Sequence, residues 1–130
     1  MLIERAEYRE QASTAQVLDD DNIFRYCEFS GFSVEGGHVD GVFLSCTFSD
    51  IDWYWGLFNG CVFVNCKFGK CVFRGTAFPD CLFVDCEFID CQFLGDNLSG
   101  KGCTAEGAHA YGTTVKGSKG AEFLFASVAV

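Results

Sequence analysis

Nine cysteines in a chain of 130 residues offer the most chemistry of any residue type here. Thiols can hold a soft metal, form disulfides or act as nucleophiles. Their spacing argues against all three. Cys61, Cys66 and Cys71 lie five residues apart, as do Cys81, Cys86 and Cys91, whereas structural zinc needs C-x₂₋₄-C pairs whose ligands converge. The count is odd, which speaks against a complete disulfide framework. If residues 20 apart lay on neighbouring strands, Cys66 and Cys86 would sit about 4.8 Å from each other. That is within reach of a disulfide, but parallel Cβ vectors would strain the bridge. The expectation is nine reduced, metal-free core thiols. The other chemical groups fare no better. Asp80, Asp85 and Asp90 occupy equivalent positions of successive repeats, so they should circle the molecule instead of meeting as an acid/base pair. His38 and His109 stand apart from any Ser, Cys or carboxylate at triad spacing. No Gly-rich phosphate loop is present. The reading is no enzyme, no catalytic residues, no metal and no cofactor.

The element that carries the cysteines is a five-residue beat. From residue 43 onward a bulky apolar side chain recurs as Phe43, Phe48, Trp53, Phe58, Phe63, Phe68, Phe73, Phe78, Phe83, Phe88, Phe93 and Leu98. Two positions before most of them stands a small residue or Cys, including Cys46, Cys61, Cys66, Cys71, Cys81, Cys86 and Cys91. Five matches neither the helical period of 3.6 nor the strand period of 2. It fits a three-residue extended piece followed by a two-residue corner. Side chains two apart on an extended piece share a face, so each Cys should point inward with its Phe. A looser register runs earlier through Phe24, Phe29, Val34 and Val39, and the step from Val39 to Phe43 is one residue short. After Leu98 a seven-residue step restores the beat at Ala105, Ala110, Val115, Gly120, Phe125 and Val130.

The run Cys-Val-Phe-Val-Asn-Cys-Lys-Phe-Gly-Lys-Cys-Val-Phe-Arg-Gly at 61–75, echoed by Cys-Leu-Phe, Cys-Glu-Phe and Cys-Gln-Phe between Cys81 and Phe93, resembles the pentapeptide-repeat family in a Phe- and Cys-rich form. The resemblance implies an all-β, right-handed quadrilateral β-helix with four pentads per coil. Gly56, Thr76 and Asp96 replace Cys at intervals of 20 residues, which hints independently at a four-pentad coil. About five coils are expected. Residues 1–21 read as an N-terminal cap, strand or short helix, and 22–130 as the β-helix. Its regular core should span 41–100, with thinner coils at 103–130. The structural core is assigned to Phe43, Phe48, Phe63, Phe68, Phe73, Phe83, Phe88 and Phe93 with Cys61, Cys66, Cys71, Cys81, Cys86 and Cys91.

Charge narrows the partners. Eighteen acids against nine bases give a net −9, which disfavours direct nucleic-acid binding and an anionic membrane surface. Residues 1–20 lack an apolar signal core, so a reducing cytoplasmic setting is expected.

A coil of 20 residues would stack outward residues in columns. Val42, Val62 and Leu82 then lie beside Leu44, Val64 and Val84 as a candidate protein-binding face. The alternative is ordinary strand composition covered by the N-terminal segment. Thr47, Lys67 and Glu87, beside Asp50, Lys70 and Asp90, form an alternating charged face. Tyr54 and Trp55 either project outward as binding anchors or follow a bulge at Trp53. The apolar C-terminus, with Phe123, Phe125, Val128 and Val130, is the candidate interface of a homodimer.

The expected function is a non-enzymatic structural or protein-interaction module. The alternative, implied by the resemblance, is an acidic DNA mimic that binds DNA gyrase or topoisomerase IV, as some quinolone-resistance members do.

Overall fold

The computed structural model describes residues 1–95, 100 and 102–121. Short parallel strands wind into a four-sided solenoid, one strand per side and one sheet per face. The described residues trace four coils, 22–40, 41–60, 61–80 and one that runs from 81 to 107 with a strand or bridge on each of its four sides. Part-coils flank them on both sides. The expected fifth complete coil is not among the described residues.

Face 1 is a six-stranded sheet running from Leu2–Glu4 through Val62–Val64 to His109–Tyr111, and face 2 is a second six-stranded sheet from Glu7–Tyr8 to Thr114–Lys116. Face 3 has four strands, from Ser33–Glu35 to Gln92–Leu94. Face 4 is built on His38–Val39 and Leu57–Phe58, extended by single bridges from Leu57 to Ala77 and from Ala77 to Thr104.

The five-residue beat produces this directly. Each pentad spends three residues on a strand and then turns a corner through left-handed backbone, as at Asn65 (φ 55°), Lys70 (φ 52°) and Gly75 (φ 54°). Gly, Asn and Asp tolerate that conformation best, and they occupy most of the corners.

Inside, the rings form columns. Phe24, Phe43, Phe63 and Phe83 stack at 4.9, 4.9 and 5.1 Å between centroids. Tyr8, Phe29, Phe48, Phe68 and Phe88 stack at 5.0, 4.8, 4.7 and 4.7 Å. Those spacings equal the distance between adjacent strands, so one backbone period sets both the ladder and the ring stack. Neighbouring columns meet edge to face, for example Phe63 on Phe68 at 5.3 Å, the arrangement that aromatic quadrupoles favour.

Three departures from the simple period have local causes. Phe43 pairs with Phe24 at a spacing of 19, and Asn22 pairs with Gly41. The lost residue is absorbed at Gly41, whose φ of 132° and close approach to the Asn22 backbone leave no room for a side chain.

The coil after Phe73 is longer. Phe83 pairs with Ala110 and Phe88 with Val115, a spacing of 27. Thr104 bridges Ala77, so Ala105 continues the Phe58–Phe78 column and this coil is seven residues longer than the two before it. This corrects the expected register, in which Leu98 completed that coil; Leu98 lies outside the described residues. The third member of the Gly56–Thr76 column is therefore Cys103 and not Asp96, which also lies outside them.

At the N-terminus both expected alternatives occur in series. Leu2–Glu4 and Glu7–Tyr8 pair with the first full coil as ordinary strands. Helix α1 (Gln11–Leu18) then replaces the next two sides and packs against Ser33–Glu35 and His38–Val39. Two of its terminal carbonyls, which a helix leaves unpaired, are satisfied by the solenoid: Asn22 Nδ2 donates to the Val17 carbonyl at 3.0 Å and the Asp40 amide to that of Leu18 at 2.8 Å. Leu18 enters the core.

Candidate functional site

The cysteines do a specific structural job. Each lies at the start of its pentad with Sγ directed at a carbonyl one coil below. Cys66 donates to Phe43 O at 3.3 Å, Cys86 to Phe63 O at 3.3 Å, Cys81 to Phe58 O at 3.0 Å and Cys91 to Phe68 O at 3.2 Å. Hydroxyls make the same bond elsewhere: Thr76 to Trp53 O, Thr113 to Phe83 O and Ser118 to Phe88 O, each at 3.3 Å. The slot therefore selects a small side chain with one donor, beyond the apolar filler expected from the sequence. The signal was present, because Thr113 and Ser118 continue the Cys beat into the last coil.

All nine thiols are free, and eight are buried. Neighbouring thiols of the same column, followed by burial, push Cys66, Cys61 and Cys71 well above the ordinary thiol value. Burial also raises Cys27 and Cys103 above it. A thiol held protonated is a poor nucleophile and a poor metal ligand.

The remaining core residues named from sequence, Phe43, Phe48, Phe63, Phe68, Phe73, Phe83, Phe88 and Phe93, are buried, as are Cys61, Cys71, Cys81, Cys86 and Cys91. Asp80, Asp85 and Asp90 sit at successive corners with φ of 53° to 54°. Their carboxylates lie over Gly107, Gly112 and Gly117 of the next coil, so they do not converge.

The outer surface divides by face. On face 1, Val62 is flanked by Val42 and Leu82, and Val64 by Leu44 and Val84. All six are half-buried. The apolar column continues through Ile23 and Leu2, which are exposed, and the adjacent one reaches exposed Tyr111. The N-terminal segment does not cover this face: its first strand extends the sheet by one edge, and α1 lies over faces 3 and 4. On face 2, Lys67 lies between Thr47 and Glu87.

Trp53 remains in register with Val34 and Phe73 and is buried, so the wall does not bulge there. Tyr54 and Trp55 meet edge to face at 4.3 Å, and Trp55 forms an exposed left-handed corner at φ 56°.

His38 is not isolated. Its Nδ1 lies 2.9 Å from Asp19 Oδ1 and 2.9 Å from Asp40 Oδ2. The sequence concealed this group because Asp19 and His38 are 19 residues apart, the length of the one shortened coil. Phe123, Phe125, Val128 and Val130 lie outside the described residues.

A four-sided parallel solenoid with a five-residue period, an aromatic interior and small donors at most pentad starts is the pentapeptide-repeat architecture. No protein-family model matches this sequence, and no curated protein sequence matches it. Among solved structures, the chain resembles Rfr23, a pentapeptide repeat protein from the cyanobacterium Cyanothece 51142. The TM-score is 0.62 at 8% identity, covering 91% of this chain and 83% of that one. It also resembles QnrB1, a plasmid-mediated fluoroquinolone resistance protein, with a TM-score of 0.61 at 12% identity over 91% of this chain and 71% of that one. At these identities the likeness describes the fold.

Proposed function

We propose that this chain is a pentapeptide-repeat interaction module without enzymatic activity, and that it docks a protein partner on face 1. The observation that carries the reading is the unbroken apolar column Leu2, Ile23, Val42, Val62 and Leu82 on one flat, uncovered sheet. Solvent-facing sheets ordinarily alternate apolar and polar sides; here the outward side is also apolar across the three central strands, with the Glu4–Arg25 ion pair and His109 at its two ends. Six strands at about 4.8 Å give a face only about 25 Å tall. A stable interface takes about 800 Å² per partner, so a bound protein must also reach round the flanking corners, where Tyr26 and Asn65 stand. We place self-association elsewhere, at the apolar C-terminal sequence with Phe123, Phe125, Val128 and Val130.

The second reading is an acidic mimic of duplex DNA directed at a type II topoisomerase, favoured by the net charge of −9 and by the fold likeness to QnrB1. A mimic needs a continuous negative stripe. Among the described residues, Asp50, Lys70 and Asp90 alternate in sign along one corner, and the three central strands of face 1 carry no outward charge, which weighs against it.

Photo-crosslinking tests the scheme, with a photoreactive phenylalanine analogue placed at position 64, 67 or 125 in turn. Position 64 should capture a different protein, position 125 a second copy of this chain, and position 67 little of either. Equal capture at 64 and 67, or none at 64, would count against face 1. Capture of a topoisomerase at 67 would favour the mimic.

A further inference from the structure

We infer that Asp19, His38 and Asp40 bind a single divalent transition-metal ion at the seam between helix α1 and the first full coil. Asp19 closes α1, His38 opens the strand His38–Val39, and Asp40 follows it. The helix end thus delivers one ligand atom and the end of a single strand the other two. The three atoms, His38 Nδ1, Asp19 Oδ1 and Asp40 Oδ2, all lie within 4.8 Å of one another.

Two carboxylate oxygens stand 2.9 Å from the same imidazole nitrogen. That nitrogen carries at most one hydrogen, so it serves two anionic acceptors with one proton. A cation with bonds of about 2.1 Å would take all three atoms after they open by a few tenths of an ångström. The free oxygen of Asp40 accepts from Asn59 Nδ2 at 3.4 Å, a contact that orients the ligating oxygen, as outer partners do at metal centres.

Charge and space agree. Asp20 and Asp21 extend the acidic run beside Asp19. A cavity of about 250 Å³, lined by Asp19, His38, Gly36 and Gly37 among others, opens at the site and leaves room for waters to complete the coordination shell. One nitrogen and two carboxylate oxygens suit Zn²⁺, Co²⁺, Ni²⁺ or Mn²⁺ better than Ca²⁺ or Mg²⁺. The ligands come from both α1 and the solenoid, so the bound ion would pin the helix across the end of the core.

Cobalt(II) added to the reduced full-length protein is the test, because its spectrum separates this site from the nine thiols. One equivalent should bind with weak d–d absorption and no sulfur-to-cobalt charge-transfer band. The thermal midpoint should rise. His38→Gln and Asp40→Asn should each weaken binding at least tenfold, and His109→Gln should not change it. His38 and Asp40 side chains are 40% and 23% exposed and neither belongs to the apolar core, so the substitutions leave the core intact, and circular dichroism would verify that. No uptake at millimolar cobalt, a thiolate band, or full binding by folded His38→Gln would each overturn the site.

Discussion

Phe68→Ala should destabilise this protein by about 3–5 kcal/mol, the range for emptying a buried aromatic site. Cys66→Ala should cost far less. Phe68 stacks on Phe48 and Phe88, each at 4.7 Å, and meets Phe63 edge to face at 5.3 Å. Its removal opens a void between two coils that cannot close, because the strand spacing is fixed by the ladder above and below. Cys66→Ala removes one sulfur and one weak bond to Phe43 O, a net loss of about 0.5–1.5 kcal/mol. Urea unfolding of the two variants checks this. Equal midpoints would mean that the rings do not dominate.

Gly41→Ala should be strongly destabilising for the addition of a single methyl. A Cβ there would lie 2.5 Å from the Asn22 carbonyl oxygen, and the φ of 132° is one that L residues rarely adopt. Strained backbone costs about 1–3 kcal/mol, and the overlap with backbone adds to it. Asn22 cannot retreat freely, since its side chain holds the end of α1. Gly69→Ala is the control. Gly69 lies on a face 2 strand with nothing within 4 Å of a Cβ, so Ala should be neutral or slightly stabilising. Thermal unfolding should separate the pair by many degrees; similar midpoints would refute the tight node at Gly41.

Much of this architecture was legible because one rule, the five-residue beat, governs backbone and core alike. The columns Val42–Val62–Leu82 and Thr47–Lys67–Glu87 follow from it by arithmetic. Helix α1 did not follow, because Gln11–Leu18 carries no beat and its helix forms by packing on the solenoid end. The fate of the residues after Leu94 was equally hidden. Two extra residues after Leu98, or seven in place of the Leu98 repeat, leave the five-residue beat in the same phase, and only the pairing of Thr104 with Ala77 decides for seven. The shared bond of Cys, Thr and Ser escaped a reading based on size and hydropathy, because it depends on where the carbonyl of the coil below points. The His38 group escaped for a related reason: its members meet only through the short coil and the helix end.

The residues with the most chemical potential are thus committed to the interior, and binding is left to the outer faces. Counting thiols tests that division most directly. Denatured without reductant, the protein should titrate as nine free thiols. In the native state only Cys103, half-buried where the other eight are 1% exposed or less, should react promptly. Fewer than nine thiols after denaturation, or several that react quickly in the folded protein, would contradict the account.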